Sequence, residues 1–253
     1  MDSKKYLRIL GIVTVLLVGV GILRNIVLPL FGSGAVTASV AFEPAENDAD
    51  FQGIVADLET ASLTIQSGAE FQVLSDVYQM KEPVIAIRDG NLHITQKESN
   101  GWNFFNLIGT KKCDISVTVP SDLLERIDVT SNVGEIRVEG LSLDKLTVHS
   151  DVGEVTLRDV TAASLLSVET NVGSISSQYA EGGDTVLRSD VGSIDAVFAG
   201  AEEDYRTDCT TDLGSVTVNG SNRGSFSSPA QTPPEKTILA RTSVGSISLT
   251  FGR

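Results

Sequence analysis

A six-residue phrase recurs six times between Ser131 and Ile247 and constrains the fold more than any other feature of the chain. It reads Ser or Thr; Asn, Asp or Ser; Val or Leu; Gly; a polar residue; Ile or Val. The copies begin at Ser131, Ser150, Thr170, Ser189, Thr211 and Thr242. Their glycines, Gly134, Gly153, Gly173, Gly192, Gly214 and Gly245, lie 19, 20, 19, 22 and 31 residues apart. Self-similarity at about 20 residues marks a solenoid, in which each turn of chain buries its apolar side only by stacking on the next.

The residues around each glycine say which solenoid. Apolar side chains stand three places before the second position of the phrase (Val129, Val148, Val168, Leu187, Cys209, Ala240) and four after it (Ile136, Val155, Ile175, Ile194, Val216, Ile247). They sit in alternating runs such as Leu146-Thr147-Val148-His149, a period of two that reads as strand. No stretch between glycines carries the i, i+3, i+4, i+7 apolar pattern of a helix, which excludes leucine-rich and helical repeats. The expected fold is all-β: a parallel β-solenoid of about 20-residue turns, its strands stacked about 4.8 Å apart. Each glycine is expected at a corner with positive φ, where a Cβ would cost about 1–2 kcal/mol. Neither a lysine nor a helix N-terminus follows these glycines, so they do not form a phosphate cradle.

Ahead of the repeats, Ile9 to Leu23 form an uncharged apolar run preceded by Lys4, Lys5 and Arg8 and followed by Arg24. A signal peptide keeps its small-residue cleavage site close to the apolar region. Here Val36-Thr37-Ala38 lies 15 residues beyond Leu23. The expectation is therefore an uncleaved transmembrane helix within residues 1–31, N-terminus cytoplasmic by the positive-inside rule and solenoid outside. Residues 32–50 read as an acidic linker or a first edge strand, 51–120 as irregular cap strands with an Asp89-Gly90 hairpin, and 121–253 as regular repeats interrupted by a Gly/Ser/Pro-rich loop at 220–235. The cap also holds the densest aromatic cluster, Trp102, Phe104 and Phe105, which suits burial or a partner-binding platform.

Leu63-Thr64-Ile65, Asp89-Gly90-Asn91-Leu92-His93-Ile94, Ile115-Ser116-Val117-Thr118-Val119-Pro120 and the six glycine phrases together resemble a bacterial family of candidate adhesins of unknown function with β-strand repeats. The resemblance spans about residues 55–251. It implies a single-span membrane protein of the envelope-stress type and brings no catalytic residues.

The residues themselves offer little chemistry. His149, Ser131 and Asp151 contain the types of a hydrolytic triad, but they stand in ordinary stacked columns beside Thr130, Glu169, Arg188 and Arg241, and Glu169 with Arg188 reads as a rung-to-rung ion pair. Cys113 and Cys209 fall at inward parity and read as buried thiols. No cysteine and histidine spacing suits zinc, and no cofactor is expected. A polysaccharide-acting enzyme with paired carboxylates is the competing class, since some β-solenoids work that way.

The second positions, Asn132, Asp151, Asn171, Asp190 and Asp212, are expected to stack as a polar ladder, amide alternating with carboxylate until Asp190 and Asp212 meet one rung apart. Residues 1–31 hold four of the 19 basic and one of the 33 acidic residues, so the remainder carries a formal charge of −17. Such a surface repels nucleic acid and attracts cations, a cationic peptide or a basic envelope protein.

Overall fold

The computed structural model describes residues 38–42, 51–78, 80–97, 112–120, 124–228 and 236–252. The proposed membrane segment and the aromatic residues Trp102, Phe104 and Phe105 lie outside them. Among the described residues no helix is long and apolar enough to cross a membrane. One 3-10 turn, Glu202–Asp204, is the only helical element there.

Everything else regular is strand. In chain order these are β1 (Ala38–Phe42), β2 (Gly53–Thr60), β3 (Ser62–Ser67), β4 (Gln72–Tyr78), β5 (Val84–Arg88), β6 (Asn91–Gln96), β7 (Lys112–Val119), β8 (Arg126–Val133), β9 (Ile136–Glu139), β10 (Ser142–Val152) and β11 (Val155–Arg158). There follow β12 (Thr161–Val172), β13 (Ile175–Gln178), β14 (Glu181–Val191), β15 (Ile194–Phe198), β16 (Tyr205–Leu213), β17 (Val216–Val218), β18 (Ser221–Asn222), β19 (Phe226–Ser227), β20 (Lys236–Val244) and β21 (Ile247–Phe251).

They form two sheets, ordered β1-β4-β7-β3-β9-β11-β13-β15-β21-β17-β18 and β19-β16-β20-β14-β12-β10-β8-β2-β6-β5. From β7 to β17 in the first and from β16 to β6 in the second, every neighbouring pair is parallel. Each rung places one strand in each sheet, and the glycine phrase is the corner where the chain passes between them. Inward columns such as Ile94, Ala56, Val129, Val148, Val168, Leu187, Ala240 and Cys209 run the length of the stack, all buried. The facing column of Ile115, Leu63, Ile136, Val155, Ile175, Ile194, Ile247 and Val216 is equally buried. Burying each such Val or Ile contributes roughly 1.5–3 kcal/mol.

The structure departs from the sequence reading in three places. First, the stack has eight rungs. Beyond the six phrases, β2 with β3 and β6 with β7 are themselves parallel rungs, because Ile54, Ala56, Leu63 and Ile65 continue the inward columns without needing the glycine phrase. Only β1, β4 and β5 cap that end antiparallel. The β5–β6 turn is the Asp89-Gly90 hairpin, with φ of 50° and 70° as a type I′ turn requires.

Second, the rungs do not stack in chain order. The sixth phrase lies between the fourth and fifth: β20 pairs with β14 on one side and β16 on the other, and β21 with β15 and β17. Every copy carries the same corner, so any copy fits beside any other, and the long spacing before Gly245 supplies chain to pass the outer rung. Third, the insertion is not simply a projecting loop. Its described part, up to Ser228, forms β18 and β19, which pair antiparallel with β17 and β16 and cover the outer edge of the last rung. Arg223 holds this cap with a bidentate pair to Glu202 at 2.8 and 3.2 Å.

Candidate binding surface

The corner phrase gives each of its positions a fixed environment. The first residue points inward, and in the later copies its hydroxyl donates to the glycine carbonyl of the adjoining rung: Ser189 Oγ to Gly173 O at 2.8 Å, Thr242 Oγ1 to Gly192 O and Thr211 Oγ1 to Gly245 O both at 2.9 Å, whereas the buried hydroxyls of Ser131 and Ser150 have no such partner. The glycines form a spine with φ of 152–156°. A Cβ on Gly173 would stand 1.8 Å from Gly153 O, and one on Gly153 would stand 1.9 Å from Gly134 O. The contact between rungs, more than the backbone angle, thus demands glycine. Every spine N–H but that of Gly214, on the outermost rung, also bonds the next rung, as Gly153 N does to Val172 O at 3.0 Å.

The second position points to solvent. Asn171 Nδ2 donates to Asp151 Oδ1 at 2.9 Å, one step of the ladder. The step between Asp190 and Asp212 does not exist. Arg188 pairs with Arg241 and Arg241 with Thr210, so the rung carrying Ser243 separates the two carboxylates, and the repulsion expected from the sequence is absent. The cause is the rung order.

One residue pair back along the strands runs the outward column Thr130, His149, Glu169, Arg188, Arg241 and Thr210. Arg188 bonds Glu169 at 3.0 Å, His149 stands 3.7 Å from Asp151 and 4.0 Å from Glu169, and Arg241 stands 3.8 Å from Asp208. The two arginine contacts are exposed ion pairs, worth about 0–1 kcal/mol each. Ser131 is fully buried inside the stack while His149 faces water, so the two belong to opposite faces and form no triad.

An open groove of about 480 Å³ lies over this end of the sheet, lined by Arg188, Asp190, Arg241, Asp212 and the hydroxyl residues between them. Both of its carboxylates are exposed. Glycoside hydrolysis needs one carboxyl group enclosed so that it holds a proton for the leaving group, and nothing here encloses either. Among the described residues no three His, Cys, Asp or Glu side chains are grouped to hold a metal ion.

Cys113 and Cys209 are free and buried at opposite ends of the stack, in β7 and β16, far beyond bridging distance. Burial first, then Asp114 and Asp76, pushes the Cys113 thiol up to about 11; burial and then Asp208 push Cys209 up to about 12.

The third position was not legible as a surface from sequence. Alternation would turn Val133, Val152, Val172, Val191, Val244 and Leu213 inward, yet they are 45–48% exposed, and Leu213 68%. The chain turns at the glycine, and two successive residues before it face out. The one signal was the change of parity across the glycine, since the inward column resumes at an odd spacing from the Val, as at Ile136 after Val133. In the register these six side chains are successive neighbours, Val133, Val152, Val172, Val191, Val244 and Leu213.

A family model described as Toastrack DUF4097 matches residues 51–195. Among solved structures the chain is similar to a candidate cell adhesion protein from Clostridium sporogenes, at 16% identity and a TM-score of 0.55, over 85% of this chain and 99% of that one. It is also similar to a candidate adhesin from Bacteroides fragilis, at 16% identity and a TM-score of 0.45, over 85% and 96% of the two chains. At such identity the likeness to the first is one of fold. No curated protein sequence matches the chain.

Proposed function

The chain belongs to the Toastrack DUF4097 family, and from that premise we propose that it is a non-enzymatic binding protein of the cell envelope, tethered by its N-terminal apolar segment with the solenoid outside the membrane, where it takes a cationic partner. The observation that carries this reading is the formal charge of −17 beyond residue 31, most of it on a regular stack whose outward carboxylates stand in open columns. Charge in this form attracts a basic partner from a distance and gives no enclosed acid for chemistry. An envelope-stress role rests on the family resemblance alone.

Two experiments test the parts separately. Mass spectrometry of the membrane fraction should find the apolar segment retained; a mature N-terminus near Ser39 overturns the tether. For the partner, the full chain in zwitterionic nanodiscs is titrated with polylysine at low and at physiological salt, beside an equally acidic unrelated protein. Binding should exceed that of the control and weaken steeply as the Debye length falls to about 8 Å. Binding no tighter than the control removes the cationic-partner reading.

A further inference from the structure

We propose that the Val/Leu ridge at the glycine corner, from Val133 to Leu213, is a docking strip for a cationic amphipathic helix, a reading that rests on the cationic partner proposed above and gives it a site. Single exposed apolar residues are ordinary on any surface. Six in register are not single. They make five inter-rung steps of about 4.8 Å, an unbroken strip roughly 24 Å long, and a contiguous apolar patch of a few hundred Å² is the kind that marks an interaction site. Thr60 occupies the equivalent position one rung before Val133, at a corner that lacks the glycine phrase, so the apolar strip begins where the phrase begins.

What borders the strip selects the occupant. On one side run Asn132, Asp151, Asn171, Asp190, Ser243 and Asp212, three of them acidic; on the other, across the glycine spine, lie Glu135, which pairs with Arg137, then Glu154 and four serines. Asp190 and Asp212 have no ion-pair partner among the described residues. A second copy of this chain laid on the strip would set acidic border against acidic border, and an anionic lipid surface would meet the same repulsion. A partner with an apolar stripe flanked by Lys and Arg on both sides meets neither obstacle.

A helix has that form. Its turns repeat every 5.4 Å against 4.8 Å for the rungs, so apolar residues at i, i+3/i+4 and i+7 stay in step with successive Val side chains for several turns, and about 16 residues cover the strip. Basic residues on the helix flanks then reach Asp190 and Asp212 on one side and Glu154 on the other.

The test uses the full chain in zwitterionic nanodiscs, with empty nanodiscs as reference. The probe is a peptide of about 16 residues made of Leu and Lys in amphipathic order; its partner is a scrambled peptide of the same composition. The variant is Val152→Thr/Val172→Thr/Val191→Thr, which keeps side-chain shape, strand propensity and charge, and whose unfolding midpoint is measured alongside. The amphipathic peptide should bind the wild-type chain more tightly than the scrambled one, and the variant should weaken it about tenfold or more while leaving the scrambled peptide unchanged.

Equal binding of the amphipathic peptide to variant and wild type overturns the ridge and leaves the charge-based reading standing. Failure of both peptides to bind either protein overturns both. Self-association of the wild type that the variant abolishes overturns the helix and assigns the strip to a second copy.

Discussion

The glycine spine shows how one residue type is imposed from outside its own backbone. Gly173 and Gly252 both have positive φ, 156° and 127°, but a Cβ on Gly173 collides with the carbonyl of Gly153 whereas Gly252 has nothing within 4 Å. Gly173→Ala should therefore cost more than about 3 kcal/mol, since two backbones must separate, and Gly252→Ala about 1–2 kcal/mol from the angle alone. Denaturant unfolding of the two variants checks this; equal losses would mean that rungs can part locally. The buried thiols give a second prediction at this scale. Well below about pH 8.5, the ordinary thiol value, both folded and unfolded chains hold their thiol protons, so Cys113 and Cys209 add no pH dependence. Above it the unfolded chain loses them first, because the folded values lie near 11 and 12, and stability falls as pH rises through that window. The Cys113→Ala/Cys209→Ala variant should lose less stability than the wild type between pH 8 and pH 10, measured by urea denaturation; identical slopes would show that the thiols are not protected.

At the scale of strands and columns, the last repeat of the chain is an interior rung. Truncation after Ser228 removes β20 and β21 from between β14/β15 and β16/β17, leaving two rungs with no bonded neighbour between them. In an ordinary solenoid the loss of the last repeat frays one end. Here it should abolish or sharply lower the cooperative unfolding transition, while removal of Arg253 alone should leave the midpoint unchanged. The same rung order makes Ser243 an insulator between Asp190 and Asp212. Ser243→Asp would set three carboxylates in file about 4.8 Å apart, each step repelling by roughly 0.9 kcal/mol at water's dielectric. The variant should be less stable at low salt, recover as salt is added, and differ from Ser243→Asn, which should match the wild type. These expectations could not have come from the sequence. The phrase made the strands, corners and inward columns legible, because burial parity is local and each copy repeats it. It left rung order hidden, since six copies with one corner carry no label for which neighbours which. It also hid the Val ridge: Val152 reads as core by alternation, and only the turn at Gly153 exposes it. The polar ladder was half legible for the same reason, correct at Asp151 and Asn171, where chain order and rung order agree, and mistaken at Asp212, where they part.

The whole stack is a charged rod capped at both ends by antiparallel strands. Seven inter-rung steps of about 4.8 Å make it roughly 34 Å long, comparable with the Debye length of about 30 Å at 0.01 M salt and far greater than the 8 Å at 0.15 M. At low salt the excess carboxylates therefore repel along the full length of the stack; at physiological salt only near neighbours do. Opposing this are exposed ion pairs such as Arg188 with Glu169 and Arg223 with Glu202, which salt also screens but which are few and individually weak. Net repulsion should win, so that the stack is more stable as salt rises, in the direction opposite to its binding of a cationic partner. Scanning calorimetry of the full chain in an uncharged detergent should show the unfolding midpoint climbing by about 2–4 °C for each kcal/mol of repulsion removed between the two salt concentrations. A midpoint that falls instead would mean that the ion-pair columns stabilise the stack more than its overall charge opposes it, and the long-range attraction invoked for a basic partner would have to be replaced by local pairing at particular rungs.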